Sequence, residues 1–212
     1  MMTGDRTQHF TDFLAKIISI IFHPLLMSVY GILIIFSAPT PIGYFPVTIK
    51  KGLLLIILIN NLLLPLSLIL YFRFKDIISS WSVENRKERI LPLLATSFFY
   101  SVSALFILYT FRIPPFIKSF IFSATFLAIC VTFITLWWKI SIHSVGVGAL
   151  AALVIILSIK MYTPLTWFLI GAILASGLVM TSRLSLNSHS PDEVWFGLLL
   201  GFLGSGLFLA IF

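Results

Sequence analysis

Ser182-Arg183-Leu184-Ser185-Leu186-Asn187-Ser188-His189-Ser190-Pro191-Asp192-Glu193 is a short polar island between two long apolar runs. It holds an arginine, a histidine and two carboxylates. Only 10% of the chain is charged. Ionisable groups at the edge of apolar segments are costly to keep, so such a cluster marks a functional site by default. The reading of the flanking runs decides the fold. The 212 residues are 59% hydrophobic and 15% aromatic, with a mean hydropathy of +1.10. A soluble domain is about half apolar and about a quarter charged. The expectation is therefore an all-α, polytopic membrane helical bundle of about six to seven transmembrane helices, with residues 1–212 forming a single integral membrane domain.

Cys130 is the one cysteine and lies in an apolar run, so no intramolecular disulfide and no redox role are expected. The start is polar and mixed in charge (Asp5, Arg6, Asp12). The apolar run after it is long enough to stay as a span, so no cleavable signal peptide is expected. The net charge is +7. On a soluble protein that would suggest nucleic acid. Here the basic residues sit between apolar runs, so membrane lipids and a phosphate-bearing substrate are the expected partners, and nucleic acid is not.

Phe10, Phe13, Leu14, Ile17, Ile18 and Ile21 fall at helical spacing with Thr11, Asp12 and Lys16 opposite, an amphipathic lead-in over 10–16 running into a first span at 13–36. His23-Pro24 falls inside it; proline implies a kink, and a packed, hydrogen-bonded histidine is the preferred reading. Ser37 to Pro46 is a loop by its Pro and Gly content. Further spans are expected at 51–72, 92–111, 116–138, 144–159, 165–181 and 194–212. Asn60-Asn61 would tie helices together within the second. The 144–159 segment is short and rich in small residues, and the last carries Gly197, Gly201, Gly204 and Gly206, so both suit close helix packing.

With alternating sides, the polar loops 73–91, 139–144 and 182–193 share one face. They supply Arg86, Lys87 and Arg89, then Lys139, Ser141 and His143, then Arg183, His189 and Glu193. Clustered cations suit a phosphate dianion, and arginine presents a planar fork of donors to its oxygens. One histidine can attack phosphorus while another protonates the leaving oxygen. A carboxylate beside the nucleophile would fix its tautomer.

Ser182-Arg183, five residues, His189, three residues and then an acid resembles the third motif of the type 2 phosphatidic-acid phosphatase superfamily, integral membrane lipid phosphatases. Glu193 stands where the family has Asp. The resemblance implies that Arg183 binds phosphate, that His189 forms a phosphohistidine, and that Glu193 holds the other ring nitrogen. The family's second motif is Pro-Ser-Gly-His; Ile140-Ser141-Ile142-His143 keeps the serine and histidine. It implies Ser141 as a phosphate contact and His143 as the general acid. The first motif, Lys-x6-Arg-Pro, has no full counterpart; Arg86-x2-Arg89-x2-Pro92 stands in its place, with Arg86 and Arg89 as candidate phosphate ligands and Lys139 beside them. No metal and no cofactor are implied.

Structural readings stand beside these. Ser190-x-x-Glu193 with Pro191 is a capping box opening the last span, and the cap and the histidine orienter can be one residue. Arg86, Lys87 and Arg89 also suit plain juxtamembrane charge, and Lys139 beside Trp137-Trp138 suits an interfacial anchor. Two histidines and two carboxylates could hold a cation, but the neighbouring arginines would repel it. Asn85-Arg86 and Arg89 touch on a prenyl transferase pattern, without the Asp-rich magnesium motifs that chemistry needs.

The positive-inside rule puts the motif face, which carries more cations, in the cytoplasm. Setting aside the proposed ligands Arg86, Arg89, Lys139 and Arg183 leaves the two faces level. The resemblance implies an extracytoplasmic site in an inner bacterial membrane. The expected function is removal of phosphate from a phosphatidic acid-like lipid or a polyprenyl phosphate or diphosphate. The alternative is a non-catalytic protein on the same scaffold that binds or transports such a lipid.

Overall fold

A computed structural model describes residues 2–79, 85–109 and 113–211, with side chains from residue 8 onward. Glu84 in the first polar loop, Phe111 and Arg112 in a later turn, and the side chains of Asp5 and Arg6 lie outside the described residues. Among those described, the structure is all-α: α1 Met2–Ile21, α2 Pro24–Ser37, a 3-10 turn Pro41–Tyr44, α3 Val47–Ile57, a π-helical stretch Leu58–Leu63, α4 Leu64–Phe74, α5 Arg86–Leu108, α6 Pro115–Thr135, α7 Ile142–Lys160, α8 Thr166–Ser185 and α9 Pro191–Ile211. Among the described residues, six helical units are long and apolar enough to cross a membrane, counting Val47–Phe74 as one, and a seventh if α1 and α2 form one bent span. The chain is an integral membrane protein.

Its surface carries the apolar side chains a bilayer would solvate, among them Leu55, Leu63, Phe98, Phe133, Leu174 and Leu203. Hydroxyls turn inward instead. Ser97 Oγ and Thr132 Oγ1 lie 2.8 Å apart between α5 and α6, and Ser103 Oγ donates to Asn61 Oδ1 at 2.8 Å. That second bond gives Asn61 the interhelical role expected of it. The π-helical stretch has a local cause: the Pro65 ring would clash with the Asn61 carbonyl in an α-helical turn, and a wider turn relieves it.

The α7 helix packs against α9, α8 and α2. A Cβ on Gly148 would overlap the Leu198 carbonyl oxygen, and one on Gly201 would overlap that of Val145. Only glycine lets these two backbones approach so closely.

Three of the shifts from the expected boundaries bear on the polar end of the bundle. The span at 13–36 is broken: α1 and α2 meet at 58° across Phe22-His23. Pro24 has no N–H to continue α1, so it opens a new helix. The α5 helix begins at Arg86, ahead of the expected 92, because Asn85 caps it by accepting from the Lys87 N–H at 3.1 Å. The α8 helix runs to Ser185, so Ser182 and Arg183 sit in its last turn and not in a loop. A cation there faces the negative end of the helix dipole. Asn187, at φ 49°, then turns the chain toward His189.

Candidate active site

One end of the bundle gathers the first turns of α2, α5 and α7, the last turn of α8 and the loop before α9 around a single cavity of about 290 Å³. Helix N-termini point their positive dipole ends there, a setting that favours an anion. His23, Arg89, His143, Arg183 and His189 all line that cavity. Arg89, Arg183 and His189 are buried.

His189 Nδ1 lies 2.5 Å from Glu193 Oε2. The spacing of four residues across the start of α9 makes this possible, since the carboxylate one turn in reaches back over the helix mouth. The same Oε2 is 3.4 Å from the Ser190 N–H, and the Glu193 N–H is 3.4 Å from Ser190 Oγ. Glu193 is thus capping-box member and histidine partner together, with the shorter bond to the histidine. Burial first, and then the charges of Arg89, Arg183 and Lys139, lower the His189 imidazole to about 3. The adjacent carboxylate opposes that fall, but burial and three cations outweigh it. A neutral ring donating from Nδ1 to Glu193 keeps the Nε2 lone pair available as a nucleophile.

His143 Nε2 is 3.2 Å from the Ser19 carbonyl oxygen, so that nitrogen carries a proton. Arg183 Nη1 donates to Ser19 Oγ at 3.3 Å. The end of α1 therefore holds two site residues at once. The His143 ring stands edge-on to that of His23, centroids 5.8 Å apart.

The structure gathers His189, Glu193, Arg183, Arg89 and His143, and brings the charge of Lys139 to bear on His189. Lys139 does not line the cavity wall, and two further candidate ligands engage other partners. Arg86 Nη1 donates to the carbonyls of Thr135, at 3.2 Å, and Leu136. It closes the C-terminal end of α6, where orphan carbonyls need donors, and it is not in the cavity wall. Ser141 is fully buried and accepts from Ser144 Oγ at 2.9 Å, while its N–H donates to the Glu193 carbonyl at 3.2 Å. It ties α7 to α9 and does not line the cavity.

The sequence singles out neither Ser19 nor Tyr100; His23, expected as a packed, hydrogen-bonded residue, does accept from the Leu25 N–H and also lines the cavity. Ser19 carries no signal of its own. His23 had one: a polar residue before a proline is a helix start, not a helix interior.

Beyond the polar end the cavity is apolar, walled by Met27, Leu127, Ala128, Val131 and Leu150. It reaches Tyr100, whose hydroxyl donates to Ser28 Oγ at 3.2 Å, and Ser123 and Ser205, whose oxygens are 3.5 Å apart. Arg89 and Tyr100 both line it from α5; at ~1.5 Å rise per residue their separation is about 16 Å along the helix.

No family model matches the chain, and neither a curated protein nor a solved structure does.

Proposed function

We propose that the protein is a membrane lipid phosphatase that removes phosphate from a lipid phosphate or diphosphate through a phosphohistidine on His189. The carrying observation is one continuous cavity that holds Arg89, Arg183, His143 and His189 at its polar end and apolar walls beyond. Such a shape fits a phosphate joined to a hydrocarbon chain better than a water-soluble phosphate ester. The resemblance of Ser182, Arg183, His189 and Glu193 to the superfamily's third motif supports the same reading.

In the first step His189 Nε2 attacks phosphorus. The N–P bond forms, the P–O bond to the lipid breaks, and Glu193 stabilises the charge gained by the ring. Arg89 and Arg183 stabilise the phosphoryl oxygens, with Lys139 adding field. His143 takes up a second proton as the phosphate dianion enters and gives it from Nδ1 to the leaving oxygen, because Nε2 is used by Ser19. In the second step water attacks phosphorus, His143 takes its proton, and inorganic phosphate leaves with His189 restored.

The substrate would be phosphatidic acid-like or a polyprenyl phosphate or diphosphate, in a bacterial inner membrane with the site on its extracytoplasmic side. A second reading, a non-catalytic binder or transporter of a phosphorylated lipid, is favoured by the engagement of His143 with Ser19 and by the placement of Arg86 and Ser141 away from the cavity. Phosphate release from a panel of lipid phosphates separates the two. The enzyme releases phosphate and loses that activity in His189→Ala; a binder retains the lipids and releases nothing.

A further inference from the structure

We infer that His23 is a phosphate-binding residue of this site, donating a hydrogen bond from Nε2 to the phosphoryl group. The inference rests on the phosphate-site reading above and adds to it a residue from a helix that carries none of the three sequence motifs. His23 lines the cavity together with Arg183, His143 and His189. It is there because the chain breaks: the 58° bend between α1 and α2 brings the start of α2 to the polar end.

The ring's tautomer follows from its cap. Nδ1 accepts from the Leu25 N–H at 3.3 Å, so it carries a lone pair and the ring proton sits on Nε2. Among the described residues nothing is seen to accept from that Nε2. The other two imidazoles are differently engaged. His143 spends its Nε2 proton on Ser19, and His189 must keep Nε2 unprotonated to attack. His23 is therefore the imidazole that, while neutral, has a donor to offer an anion. Pro24 and Leu25 share the wall, so the positive end of the α2 dipole acts in the same direction.

A purely structural His23 would serve only as the N-cap of α2. Asn, Asp and Ser all cap helices well, and they differ in what they show a phosphate. Asn keeps a donor, Ser keeps the cap but lacks the reach, and Asp keeps the cap while repelling the anion. The test uses the purified full chain in detergent, with decyl phosphate and inorganic phosphate as probes, and measures Kd and melting temperature for wild type, His23→Asn, His23→Ser and His23→Asp. The expected order of affinity is wild type, then Asn within about threefold, then Ser weaker by about tenfold or more, then Asp weakest, at similar melting temperatures. Equal affinity in the three variants would overturn the inference while leaving the phosphate site standing. Failure of the wild type to bind either probe would instead remove the phosphate-site reading, and the role of His23 with it. Asn and Asp are near-isosteric, so that pair decides the matter even if the Ser variant folds poorly.

Discussion

In the proposed reaction, His189 and Glu193 carry the chemistry at the level of single side chains. Their 2.5 Å bond fixes the ring and leaves Nε2 as the atom proposed to attack. Glu193→Gln keeps the size and can still cap, but it no longer stabilises the imidazolium character that develops on attack. A loss of about a hundredfold or more in kcat is expected, with stability changed by about 1 kcal/mol or less. The pH profile follows from the charges around the ring. With His189 held low, at about 3, the nucleophile stays neutral well below neutral pH, and the acid limb of kcat/KM due to it lies far down. Removing a cation favours the imidazolium and raises its pKa. Arg89→Gln should therefore move that limb upward, and a limb that stays put or moves down would break the link between the two residues. Arg86 gives the contrast: bound to the carbonyls of Thr135 and Leu136, its replacement by Ala should lower the melting temperature and leave KM nearly unchanged. The four-residue spacing of His189 and Glu193 was legible because it depends only on local helix geometry. The engagement of Arg86 was not, because it depends on where the end of another helix, α6, comes to rest.

Among the elements, the seam between α7 and α9 holds the loop of His189 to the end of α7 that bears His143. Gly201 packs against the Val145 carbonyl, and the Ser141 N–H reaches the Glu193 carbonyl. Gly201→Val would push the helices apart and should cost several kcal/mol or prevent accumulation of the protein. Gly177→Ala, where a Cβ meets nothing within 4 Å, should be tolerated; melting temperatures in detergent compare the two. The spans themselves were plain in the hydropathy. Small residues in 144–159 announced close helix packing, and α7 packs against α9, α8 and α2. The break before α2 was half legible: Pro24 implied a kink, but a 58° turn that delivers His23 to the cavity depends on what α1 packs against, and it packs on α8. Arg183 was expected in a loop for a related reason. The run of Ser182 to Ser185 is polar in sequence, yet it continues the α8 helix because its polar atoms find partners, as in Ser182 Oγ donating to the Leu178 carbonyl at 2.7 Å.

For the whole molecule, the consequence is an inside-out protein with one apolar cavity that opens onto a cluster of cations and histidines. The cavity walls should read the chain of the substrate as its polar end reads the phosphate. Each methylene buried is worth about 0.8 kcal/mol, or about fourfold in affinity, so single-chain alkyl phosphates should bind more tightly with each added carbon until the space near Tyr100 is filled. Ala128→Phe, which places a ring in the apolar wall of the cavity, should abolish the length dependence and leave binding of inorganic phosphate intact. Affinity independent of chain length in the wild type would argue for a soluble phosphate ester instead. A phosphohistidine is detected by incubating the purified protein with a labelled lipid phosphate, quenching it in alkali and mapping the label by peptide. A phosphohistidine mechanism requires acid-labile, alkali-stable phosphate on His189 and its absence, together with loss of phosphate release, in His189→Ala. Phosphate release that persists in His189→Ala would contradict it.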